Sequence, residues 1–159
     1  MRRGSGNISG GEKMTGLPIT YRGVVYPWQC DHMNHLNVMW YVGKFDEATW
    51  QYFALLGLSP SFLREQKRGM AAVRQEITYR RELLPGDVVS VRSGVLEIKE
   101  KAIRFFHEMR NEETGEISAI SEMTAVHLDT VLRKSCPFPG QFVENARKAV
   151  VSSPPGSGE

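Results

Sequence analysis

Between residues 37 and 56 apolar side chains recur at helical spacing: Val38, Tyr41/Val42, Phe45, Ala48, Tyr52 and Leu55/Leu56. The pattern predicts one long amphipathic helix with Lys44, Glu47 and Gln51 on its other faces. Asn34 or Asn37 supplies a cap for its start, and Gly57 a stop. Ahead of it, residues 19–28 are rich in β-branched and aromatic side chains and predict a strand. Behind it, Ser59 and Pro60 suit the cap and first position of a short helical segment reaching Gln66. After Gly69 the period falls to two, with Val73, Gln75, Ile77 and Tyr79 alternating against Arg74, Glu76, Thr78 and Arg80. Pro85-Gly86-Asp87 is a turn signal, and residues 88–98 and 102–110 read as strands, the second with Ile103, Phe105, His107 and Met109 on one face. Residues 111–115 form a hairpin turn, residues 117–128 a last strand, and residues 141–149 a short amphipathic helix.

One long apolar helix followed by four consecutive strands with short turns implies an α+β layer, the sheet packing on the helix. A five-stranded sheet covered by one helix leaves an edge or a face open, so association of copies is expected. Residues 1–16 and 151–159 are rich in Gly, Ser and Pro and are expected to be disordered tails around a single domain at 17–150.

Composition narrows the function classes. The 159 residues are 41% hydrophobic and 24% charged, room for one core. A net charge of +2, with basic residues scattered among acids, gives no stripe for nucleic acid. No apolar stretch approaches the length of a membrane span. Cys30 and Cys136 stand far apart and outside any paired metal motif, which suits reduced thiols and a cytoplasmic protein.

The candidate chemistry sits where the first strand meets the long helix, in QCDHMNHLNVMWY, Gln29 to Tyr41. Asp31 lies just before a helix start, whose unpaired N–H groups and positive dipole end can hold a developing oxyanion. A carboxylate beside such a place can act as base or nucleophile in acyl transfer; it can equally serve only as a cap. His32 and His35 with Asp31 make an incomplete metal ligand set, so no metal is expected. Cys30 next to Asp31 has its thiolate disfavoured. Trp28, Trp40, Tyr41 and Trp50 suit core or interface. GxSxG, P-loop and GxGxxG motifs are absent.

QCDHMNHLNVMWYVGKFDEATW resembles the Asp-x-x-Gly-His-x-Asn-x-x-x-Tyr segment of hotdog-fold acyl-CoA thioesterases of the 4-hydroxybenzoyl-CoA thioesterase type. ITYRRELLPGDVVSVRSGVLEI, with Gly86-Asp87, is similar to that family's second-strand and turn region. The resemblance implies a hotdog fold, a long central helix wrapped by a five-stranded antiparallel sheet, in homodimers or homotetramers with active sites at the subunit interface. It implies hydrolysis of an acyl-CoA substrate, with no cofactor beyond the CoA of the substrate. It places the catalytic carboxylate on Asp31, the carbonyl-polarising helix start near residues 35–38, and supporting roles on Asn34, His35, Asn37 and Tyr41. Two departures stand out: Gln29 replaces an acid found in many members, and Asn34 replaces the usual glycine. Arg74, Arg80, Arg81, Arg92 and Arg104 are candidates for the CoA phosphates. Two further readings are a hotdog hydratase, whose asparagine-proline pair is missing here, and a non-catalytic acyl-CoA-binding module.

Overall fold

The computed structural model describes residues 16–155. The tails expected at 1–16 and 151–159 therefore lie mostly outside the described residues. The exceptions are Gly16 and residues 151–155, where the expected loose tail is in part tied down. Val150 bridges Val95, the Val151 N–H donates to the Val95 carbonyl at 2.9 Å, and Pro154 is buried.

Strand β1 (Ile19–Val24) leads through a 3-10 turn, Pro27–Gln29, to helix α1 (Val38–Leu55) and short helix α2 (Pro60–Glu65). Strands β2 (Arg68–Tyr79), β3 (Val88–Ile98), β4 (Ala102–Asn111), β5 (Ile117–Asp129) and β6 (Lys134–Ser135) follow, then helix α3 (Gly140–Lys148). All neighbours pair antiparallel in the order β1-β3-β4-β5-β2, with β6 added beside β5. The sheet thus has six strands rather than five, because two residues after the 130–133 turn fold back on β5. The first strand stops at Val24, not Trp28, since Pro27 opens the 3-10 turn and cannot donate to a ladder.

Helix α1 packs on β1, β3 and β4 and is the longest helix described, at 18 residues. Its buried face takes Tyr41, Phe45, Ala48 and Tyr52 of the stripe predicted from the spacing and adds Thr49 and Phe53, whereas Val38, Val42 and Leu55 of that stripe are exposed. Lys44, assigned to another face, is 3% exposed. Its stem lies along β1 and its Nζ donates to the Tyr21 hydroxyl at 3.1 Å and the Val24 carbonyl at 3.3 Å.

Two apolar clusters fill the space between helix and sheet. One gathers Leu36, Tyr41, Phe45 and Ala48 of the helix start with Val89, Val91, Met109 and Ala119. The other gathers Tyr52, Phe53 and Leu56 with Phe105, Phe138 and Phe142. Fully buried His107 stands between them, stacked near Phe45 and edge-on to Phe105. The Thr49 hydroxyl gives its one proton to the Phe45 carbonyl at 2.9 Å, so it accepts from His107 Nε2–H at 2.8 Å. Nδ1 then accepts from the Ser93 hydroxyl at 2.6 Å, and Ser93 shares a 2.7 Å hydrogen bond with Thr20, whose hydroxyl also reaches the Val91 carbonyl at 3.3 Å. A chain of hydrogen bonds thus crosses the core from β1 to α1 through His107.

Candidate active site

The segment joining β1 to α1 is built from local hydrogen bonds rather than from packing. Its first part is the 3-10 turn, in which the Gln29 N–H donates to the Tyr26 carbonyl at 2.9 Å and the Tyr26 N–H to Gln29 Oε1 at 3.1 Å. Gln29 is buried, and its own carbonyl accepts from the Asn37 N–H at 2.9 Å. The residue that departs from the family pattern is therefore a brace between the turn and the helix cap. Only its position in the sequence, between a proline and the acid, signalled it.

Beyond Cys30 the chain reverses over Asp31 to His35. The Asn34 N–H donates to the Asp31 carbonyl at 2.9 Å, the Asp31 N–H to the His35 carbonyl at 3.2 Å, and Cys30 bridges Leu36. Asn34 has φ 61°, the left-handed conformation that asparagine tolerates best after glycine. The Leu36 N–H closes the loop onto the Leu83 carbonyl at 2.8 Å, anchoring it against the core.

Asp31 ends up half-exposed with both carboxylate oxygens engaged. Oδ1 accepts from the Met33 N–H at 2.9 Å, and Oδ2 accepts from Asn37 Nδ2 at 2.9 Å. The Asn37 hydrogen bond first and the Met33 hydrogen bond second hold the carboxyl below its ordinary range, so it is ionised at neutral pH. Asn37 is the N-cap of α1, and its Oδ1 accepts from the Met39 N–H at 3.0 Å. Trp40 N–H donates back to the Asn37 carbonyl, while among the described residues none accepts from the Val38 N–H. A carboxylate and a free helix-start N–H thus share one capping residue.

Of the sequence-predicted site residues, Asp31, Asn34 and Asn37 are brought together. His35 joins them through its backbone, and its ring lies 3.8 Å from Glu82. Tyr41 does not join them: it is buried, donates to the Arg81 carbonyl at 3.4 Å and meets Tyr79 edge-on. Burial pushes its hydroxyl up to about 12, so it serves the core as a neutral phenol. Among the described residues no group of three or more His, Cys, Asp or Glu is placed to hold a metal. Among the described residues, too, no helix is long and apolar enough to cross a membrane.

Four of the five arginines are paired with different acids. Arg74 pairs with Glu76, Arg81 with Glu116, Arg92 with Glu112, and Arg104 with Glu97 and Glu122. Arg74 and Arg104 flank a shallow hollow over β2, β4 and β5 rather than the start of α1.

Comparison with known proteins agrees with this architecture. The chain is 25% identical over 130 residues to a betainyl-CoA thioesterase of Pseudomonas aeruginosa, covering 82% of each. Its fold matches that of a Staphylococcus aureus protein solved in complex with CoA, with TM-score 0.79, 21% identity, and coverage of 90% of this chain and 94% of that one. It also matches a 1,4-dihydroxy-2-naphthoyl-CoA thioesterase from Synechocystis, with TM-score 0.71, 17% identity, and coverage of 81% and 95%. The model of the thioesterase-like superfamily matches residues 25–146, which take in the Asp31–Asn37 loop and every strand from β2 to β6; the chain belongs to that superfamily.

Proposed function

We propose that this protein hydrolyses an acyl-CoA to a carboxylic acid and free CoA, with Asp31 as the reacting carboxylate. The observation that carries the reading is the pairing of an ionised, hydrogen-bonded Asp31 with the start of α1 through Asn37. Membership of the thioesterase-like superfamily supports the reaction class. The names of the betainyl-CoA and 1,4-dihydroxy-2-naphthoyl-CoA thioesterases, and the CoA in the Staphylococcus aureus structure, support CoA as the leaving thiol.

In this reading the Val38 N–H polarises the thioester carbonyl, helped by the positive end of the helix dipole. Asp31 then attacks the carbonyl carbon, CoA leaves as its thiolate, and water cleaves the mixed anhydride. Alternatively Asp31 takes a proton from water that attacks directly. A carboxyl held below its ordinary range is a weak proton acceptor near neutrality but fully available for attack, which favours the first route. Asn37 orients the carboxylate, and Asn34 and His35 shape the loop that presents it. No cofactor is required beyond the substrate's own CoA.

The architecture is read as the hotdog arrangement, with α1 as central helix and the sheet wrapped around it. Two or four copies assemble with active sites between subunits, and the protein works in the cytoplasm. The test is turnover of a panel of acyl-CoAs, read by release of free thiol. Asp31→Asn and Asp31→Ala are expected to lower kcat by orders of magnitude while the circular dichroism spectrum and unfolding midpoint stay close to wild type. Near-normal activity in Asp31→Asn across the panel would remove Asp31 from the mechanism.

A further inference from the structure

From Tyr26 to His35 the chain buries a single side chain, and it is a glutamine. Gln29 is 8% exposed, while Trp28 before it and Met33 after it are 68% and 64% exposed. A segment held by packing would turn its apolar groups inward and leave the amide in water. A buried amide is tolerated only through the hydrogen bonds it makes. Gln29 therefore owes its place to its bonds.

Three bonds meet at this residue. Its N–H donates to the Tyr26 carbonyl at 2.9 Å, and its Oε1 accepts from the Tyr26 N–H at 3.1 Å, so the 3-10 turn is closed twice. Its carbonyl accepts from the Asn37 N–H at 2.9 Å. The side-chain bond fixes where that carbonyl stands, because a single 3-10 turn has poor bond geometry and holds its shape weakly alone.

Asn37 carries the constraint onward. Its Nδ2 donates to Asp31 Oδ2 at 2.9 Å, so Gln29 sets the Asn37 backbone and the Asn37 side chain sets the carboxylate. The remaining bonds of Asp31, with Met33, Asn34 and His35, lie within its own loop and move with it. An amide at position 29 does this work without placing a second negative charge near Asp31.

We propose that Gln29 is a positioning residue for the reaction at Asp31: its side-chain bond to Tyr26 holds the Asn37 cap where it orders the Asp31 carboxylate beside the start of α1. This rests on the acyl-CoA thioesterase reading of the Asp31 site.

The experiment compares Gln29→Met, similar in size but without the acceptor, with Gln29→Glu, which keeps it. In Gln29→Met kcat is expected to fall about tenfold to a hundredfold with KM within about twofold, the scale of a small misplacement of reacting groups. The Asp31 carboxyl, followed by carbon-13 NMR, should titrate at higher pH, because the Asn37 bond is the largest cause holding it down. Amide hydrogen exchange should quicken at Asn37 while the interior of α1 keeps its protection, which separates a loosened cap from a loosened fold. Gln29→Glu should restore most of kcat at neutral pH and move the acidic limb of kcat/KM upward, through the like charge it adds.

An Asp31 titration unmoved in Gln29→Met would overturn the proposal, and so would a loss of kcat that Gln29→Glu does not restore. A Gln29→Met chain that does not fold would make Gln29 a residue of the fold alone and overturn it as well. If the wild type releases no thiol from any acyl-CoA, the thioesterase reading fails by itself. The positioning role is then decided by the Asp31 titration and the Asn37 exchange: both moved in Gln29→Met supports it, and either unmoved rejects it.

Discussion

Asn37 and Asp31 are joined by a single hydrogen bond of 2.9 Å, from the amide nitrogen of the residue that caps α1 to the carboxylate placed before it. The same amide's oxygen takes the Met39 N–H at 3.0 Å. Capping and carboxylate orientation are therefore separable by substitution, because an aspartate can do the first and not the second.

Asn37→Asp keeps a good N-cap but replaces the donor with a like charge. The largest cause holding Asp31 below its ordinary range is removed, so its folded-state value rises. A depressed carboxyl favours the folded, active form above its unfolded value, and that advantage disappears as pH falls through the folded value. The acidic limb of the kcat/KM profile should accordingly move to higher pH in Asn37→Asp, and the unfolding midpoint at neutral pH should fall, because the advantage of the depressed carboxyl is lost there too. Asn37→Ala should lose the cap as well, at a cost of about 1 kcal/mol by denaturant titration. An unmoved acidic limb in Asn37→Asp would show that Asp31 is not the group being titrated.

Asn34 occupies a backbone conformation with φ 61° in the loop that carries Asp31. Asn34→Gly should fold and turn over within a few-fold of wild type, since glycine enters this region without steric cost. Asn34→Val should lose about 1–2 kcal/mol of stability and far more activity. Forcing φ negative there breaks the Asn34–Asp31 and Asp31–His35 backbone bonds that aim the carboxylate. Equal activity in the two variants would sever the link between loop shape and catalysis.

What the sequence made legible follows from how local each signal is. The extent of α1 is carried by a 3.6-residue apolar period and an asparagine at its start, both of which act within a few residues. The same holds for the Asn34 turn and for Asp31 at the helix start. Lys44 was misassigned because a long side chain can leave a buried helix face by its tip, and the acceptors of its ammonium lie on another strand. Tyr41 as a core phenol and the Thr49 contact of His107 depend on partners 40 and 58 residues away, whereas Gln29 acts on near neighbours through a glutamine side chain and carbonyl that carry no periodic signal. Strand β6 was missed because two residues carry no period.

His107 is fully buried, and burial pushes its imidazole down to about 3 from an ordinary 6.5. The folded state therefore resists a proton that the unfolded chain accepts. Stability from this source is complete above about pH 6.5 and is lost as pH falls toward about 3. The loss is on the order of 1 kcal/mol per pH unit inside that window. His107→Gln should be less stable at neutral pH, because an amide cannot match both Thr49 and Ser93 at the ring's spacing. Its unfolding free energy should also fall less steeply between pH 6 and 4. Parallel slopes for wild type and variant in urea titrations across that range would assign the acid sensitivity elsewhere.

The two proposed routes through Asp31 differ in the origin of the oxygen in the first product. In a single turnover in water enriched with heavy oxygen, attack by Asp31 gives an anhydride. Water then cleaves it at the aspartyl carbonyl, the acid leaves unlabelled, and the label stays on Asp31. Direct attack by water puts the label in the acid at once. With enzyme in excess, mass analysis of the acid and of the peptide containing Asp31 should find the label on the peptide. Label in the acid from the first turnover, with an unlabelled peptide, would exclude an anhydride cleaved at the aspartyl carbonyl.

Strand β2 ends the sheet, paired on one side to β5 along its whole length. Its 12 residues leave Val73 and Tyr79 largely in water, and Val73 sits at a register shift that bends the edge. We expect a second copy to pair along the regular stretch after the shift, residues 74–79, where a row of backbone N–H and carbonyl groups faces outward. Joining β2 to its own copy across a two-fold axis would satisfy that row and cover Tyr79. Light scattering or sedimentation should give a mass two or four times that of the 18.0 kDa chain. If the partner completes the site, specific activity should fall on dilution over the same concentration range in which the assembly dissociates. A monomer with full activity at every concentration would place the whole catalytic site within one chain.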